Sequence, residues 1–150
     1  MADASSIFDV LHELIETCRD GETGYAHAAG IVTDPELKSY FTEHSKERYR
    51  FLSELQQLAQ RGGEPRPDTS GSVAGTLHRA WFEAKVDIGL GDQSVLKSVE
   101  MGEDAAKRAY EKALGSTLPG PVQAVIQRQA ESVFHAHDHV RDLRDRDKAA

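Results

Sequence analysis

Four long apolar stripes in this sequence are each interrupted by a side chain that can hold a metal ion or a proton. On the series 14, 18, 22, 25, 29 that residue is Glu22; on 37, 41, 44, 48, 51 it is His44, with Glu47 beside it. On 96, 99, 103, 106, 110 it is Glu103, and on 126, 130, 133, 137, 140 it is His137. An ionised carboxylate is rarely left in an apolar interior without a partner, so the recurrence asks for a common cause. Two carboxylates with one or two imidazoles suit iron, manganese or zinc, and the donor types do not choose among them. A centre of that kind binds iron or reacts with oxygen or peroxide. The competing cause needs no metal: Glu22 and Glu103 are held by Arg48, Arg50 or His137 in a buried polar network that sets register more than stability.

The stripes keep the three-and-four spacing of a helix face. The first helix is expected over 6–30, with Gly30 as its stop. Thr33-Asp34-Pro35-Glu36 reads as a cap followed by Pro at the first helical position, which opens a second helix over 35–61. Residues 61–72, rich in Gly, Pro and Ser, are the clearest linker. A shorter helix follows over 72–88, with Trp81 packing it on the bundle or serving a dimer contact. Gly89-Leu90-Gly91 interrupts it, and Asp92 is the expected N-cap of a helix over 93–114. A last helix is expected over 121–146, with a charged tail, 145–150, that frays. The whole reads as one all-α domain, a four-helix bundle.

Depth decides how the chain is wired. Taking the end near Gly30 and Asp34 as the top, Glu22 lies 8 residues below it and His44 10. If 72–90 climbs back along the bundle, Glu103 lies 11 residues below the restart at Asp92, and His137 lies 9 below Arg146. At a rise of about 1.5 Å per residue, all four fall within about 5 Å of one level. Without the crossover, Glu103 sits 31 residues from Ser72, beyond the length of its neighbours. The shared level favours a ferritin-like connection, with a long helical crossover between the second and third bundle helices.

Two segments, RDGETGY and EMGEDAAKRAY, carry Gly-Glu within a helix in the two halves of the chain. They resemble the Gly-Glu positions of rubrerythrin-type ferritin-like proteins. GETGYAHAAG, TSGSVAGTLHRAW and AHDHVRDLRD resemble a bacterial family of four-helix-bundle domains of unknown function, remotely related to ferritin. The resemblance covers nearly the whole chain. It implies a soluble bacterial bundle protein with a stress- or storage-related role.

The ferritin-like di-iron site takes one Glu from each of two helices and Glu-x-x-His from each of the other two. Glu22 and Glu103 match the single-Glu positions, but no Glu-x-x-His occurs anywhere in this chain. Arg50 stands where His is wanted after Glu47, and Phe134 stands three residues before His137. What remains is a degenerate set, Glu22, His44, Glu47, Glu103 and His137, for iron, manganese or zinc, or for no metal. His135 and His139 share another face at a spacing that can bind a surface ion; solvated side chains are the alternative. Cys18, the one cysteine, reads as a small apolar filler.

Composition narrows the partners. With 18 Lys and Arg against 25 Asp and Glu, the formal charge is −7, which disfavours nucleic acid and anionic membranes. No apolar run approaches the roughly 20 residues of a membrane span. The absence of a secretory leader and the single cysteine point to the cytoplasm. A homodimer stays open, and a starvation-type ferritin cage is a third possibility that a size measurement separates.

Overall fold

The computed structural model describes residues 4–63 and 91–149. Its four helices are α1 (Ala4–Ile31), α2 (Pro35–Arg61), α3 (Asp92–Leu114) and α4 (Gly120–Ala149), with no strand among the described residues. The fold is an all-α four-helix bundle. The shorter helix expected over 72–88, with Trp81, lies outside the described residues, as does most of the linker. The C-terminal helix runs to Ala149, three residues past the end read from the sequence.

The start of α2 follows its sequence signature. Asp34 is the N-cap, its carboxylate accepting the Glu36 N–H at 2.8 Å, and Pro35 takes the first helical position, where a missing N–H does no harm. The start of α3 departs from expectation. Gly91 occupies the N-cap with φ +86°, a left-handed value that favours glycine, and makes no side-chain cap. Asp92 is instead turned to the α1–α2 turn. Its carboxylate accepts the Thr33 N–H at 2.8 Å, the Thr33 hydroxyl at 2.9 Å and the Asp34 N–H at 2.9 Å. Burial opposes ionisation more than any one of these donors favours it, but together the three outweigh it and hold the carboxyl below its ordinary value.

This clasp fixes the topology. It places the start of α3 at the end of the bundle where α1 stops and α2 begins. At the opposite end Lys112 of α3 reaches Glu13 of α1 at 3.2 Å. So α1 and α4 run one way and α2 and α3 the other, with Gly63 and Gly91 at opposite ends of the bundle. Around the bundle α1 packs on α2 and α3, α3 on α4, and α2 only sparingly on α4.

The apolar core comes in two parts. One gathers Leu11, Leu14 and Cys18 of α1 with Phe51 and Leu55 of α2, Ala106 and Tyr110 of α3, and Ile126, Ala130 and Val133 of α4. The other, nearer the Asp92 clasp, gathers Tyr25, Val32, Leu37, Phe41, Val95, Val99 and Val140. Between them lies a layer made by residues 19–24, 42–50, 100–105 and 134–139. Each of the five residues singled out above falls in it.

Candidate functional site

The middle of this layer is an ion pair. Arg48 of α2 and Glu103 of α3 approach to 2.6 Å with side chains 1% and 0% exposed. Burial alone would push the guanidinium toward losing its proton, but the Glu103 carboxylate more than reverses this and holds Arg48 charged, above its usual range. Burial first, and the Glu103 charge second, raise the Tyr25 phenol of α1 well above its ordinary value and keep it protonated. The Tyr25 ring also lies 5.5 Å under the Arg48 guanidinium, a cation–π contact.

Glycine makes the space for this. A Cβ added at Gly21 would lie 3.0 Å from Arg48 Nη1 and 3.2 Å from its Cγ. A glycine inside a helix gives up about 1 kcal/mol relative to alanine, and here the missing side chain lets the arginine pass across α1. In RDGETGY, therefore, the glycine serves Arg48 while the glutamate beside it turns elsewhere.

Glu22 is half-buried and faces a surface groove with Ser45, Lys46, Tyr49 and Arg50. Its backbone carbonyl, not its carboxylate, receives the Ser45 hydroxyl at 2.8 Å. His44 packs among aromatic rings, 4.2 Å from Tyr40 and 5.3 Å from Tyr25 between centroids. Burial lowers its pKa, and Glu47, at 3.7 Å, offsets this only in part. Glu47 accepts a hydrogen bond from Ser132 of α4 at 2.8 Å. His137 points away from the pair, its Nε2 2.6 Å from Asp104 and its Nδ1 3.0 Å from Asp138. The effect of burial is outweighed by these two hydrogen bonds, so the imidazole pKa is raised.

The five residues share a level; of them the structure brings His44 and Glu47 together, at 3.7 Å, while Glu22, Glu103 and His137 face other partners. A metal-bound imidazole needs one nitrogen lone pair free, and both His137 nitrogens are committed to carboxylates. A metal on Glu103 would have to share its surroundings with a buried guanidinium. Among the described residues, no group of three or more His, Cys, Asp or Glu side chains is placed to hold a metal ion. As placed, Glu103 is paired with Arg48, Glu22 faces the groove beside Ser45, and His137 is held by Asp104 and Asp138.

A second polar chain crosses the neighbouring core. Tyr110 donates to Gln129 Oε1 at 2.8 Å, and Cys18 Sγ lies 3.1 Å from the same hydroxyl. The phenol's one proton goes to Gln129, so the thiol is the donor on the other side. Gln129 spends its amide hydrogens on the Phe51 carbonyl and Glu54, and Glu54 pairs with Arg128 at the surface. Burial pushes the Cys18 thiol up to about 11, which leaves it protonated and a poor nucleophile.

Sequence reasoning missed the roles of Tyr25, Asp104 and Asp138. Tyr25 reads as core, and nothing in its own spacing marks a ring that lies under the Arg48 guanidinium. The readable signal was Gly21, a helix-interior glycine at the depth of an arginine on the facing stripe. Residues 6–116 match the family model described as Domain of unknown function (DUF2383). No curated protein matches the chain.

Proposed function

The chain belongs to the DUF2383 family of domains of unknown function, and from that premise we propose that it is a structural or protein-interaction bundle whose fold needs no metal. In this reading the layout is ferritin-like, and the Arg48 guanidinium takes the central position that such bundles give to a metal. The observation that carries it is the fully buried Arg48–Glu103 pair. A fixed guanidinium supplies positive charge without open coordination positions, so the layer serves register and orientation rather than turnover. The ion pair and the Tyr25 ring beneath Arg48 specify how α1, α2 and α3 meet at one level, a use to which buried polar groups are put at some expense in stability.

Chelation and metal loading test the reading. Protein purified without a His-tag should melt at the same temperature with and without EDTA. After exposure to iron, manganese or zinc, wild type and Glu103→Gln should retain equal metal. An iron or manganese content of one or more per chain that disappears in Glu103→Gln would overturn the proposal, since only an axial metal depends on that carboxylate.

A further inference from the structure

We propose that His135 and His139 form a two-imidazole surface site on α4 for a divalent ion that prefers nitrogen ligands, Cu²⁺ or Zn²⁺. The two residues stand one helical turn apart, where side chains are neighbours. Their ring centroids are 6.4 Å apart and their planes lie 10° from parallel. His135 is exposed and His139 half-buried. The His139 ring packs on Tyr40 of α2 at 4.9 Å, so the fold holds one ligand while the other is free to swing.

Metal–imidazole bonds of about 2.0–2.1 Å bring the centres of two rings on one ion within roughly 6 Å of each other. A small tip of the exposed His135 ring closes the pair. Availability separates these imidazoles from others in the layer. Both His137 nitrogens face carboxylates, and His44 lies between Tyr25 and Tyr40. Neither His135 nor His139 makes a hydrogen bond or ion pair among the described residues. Two protein ligands leave positions for water, in keeping with the absence of any larger donor group among the described residues. Imidazole selects copper and zinc, whereas Mg²⁺ and Ca²⁺ require oxygen. A chain of formal charge −7 also attracts any dication, so the test must separate coordination from simple attraction.

Calorimetric titration of untagged protein with Cu²⁺ and with Zn²⁺ should show one ion per chain. Losing either imidazole turns a chelate into a single bond, so His135→Gln or His139→Gln alone should weaken binding about a hundredfold. The double variant should bind neither ion at that site, and Mg²⁺ should give no heat. The copper-loaded protein should show coupling to two nitrogens by electron paramagnetic resonance. The site shares no residue with the Arg48–Glu103 pair, so its outcome is independent of that of the buried layer. Copper binding that survives in the double variant, a spectrum without two nitrogens, or no binding by the wild type at millimolar ion would overturn the proposal.

Discussion

Breaking the Arg48–Glu103 pair one partner at a time should destabilise the bundle far more than removing both. The side chains are 1% and 0% exposed and 2.6 Å apart, so water cannot replace a lost partner. Leaving one charge buried and unpaired costs about 3–5 kcal/mol, a large share of the 5–15 kcal/mol that holds a domain together. For a chain of this size, each kcal/mol moves the melting temperature by about 2–4 °C, so Arg48→Met or Glu103→Gln should lower it by about 6–20 °C. The double variant removes both charges and keeps the arginine's apolar stem as methionine. It should lie within about 1 kcal/mol of wild type or above it, as buried pairs replaced by neutral groups often do. Denaturant melts followed by far-ultraviolet circular dichroism supply the four stabilities. The coupling between the two sites should be at least about 3 kcal/mol. Single variants that each lose under about 1 kcal/mol, the behaviour of a solvent-exposed pair, or losses that simply add in the double, would refute the reasoning.

Three further outcomes follow from named contacts. Gly21→Ala should destabilise by about 1–3 kcal/mol despite alanine's better helix propensity, because the new Cβ meets an arginine that its ion pair prevents from moving; thermal melts check this. His137 has a raised pKa, so its stabilisation is present in full below the unfolded imidazole value and is lost as pH rises through the higher folded value. His137→Gln should therefore lose more stability relative to wild type below about pH 6 than above about pH 8.5, as read from denaturant melts at each pH. Asp92→Ala should cost about 1–2 kcal/mol by removing the clasp to Thr33 and Asp34. Because the Asp92 carboxyl pKa is depressed, the difference from wild type should shrink as pH falls through its folded value.

The candidate site was legible in one coordinate only. Stripe, caps and residue counts placed Glu22, His44, Glu103 and His137 at a common depth, and the two apolar clusters lie above and below that layer. Their directions were not legible. Glu22 is only a few positions from Tyr25 and Cys18 on the same stripe, yet it faces a surface groove with Ser45. His137 sits within a stripe of buried residues, between Val133 and Val140, yet Asp104 and Asp138 hold its ring. The competing polar-network reading had named Arg48 as a partner for Glu103, and that is the contact the fold makes.

By itself the sequence determined where the described helices begin and how long they are, to within a few residues. Those quantities follow from caps, glycines and the regular rise that backbone hydrogen bonds impose, and they add residue by residue. Only the tertiary structure decided which side chain meets which. Direction around a helix advances about 100° per residue, so a modest rotation of a packed helix sends a carboxylate to solvent and an arginine to the axis. A long flexible guanidinium, admitted by one missing Cβ at Gly21, then competes for the carboxylate in a way that stripe positions do not encode.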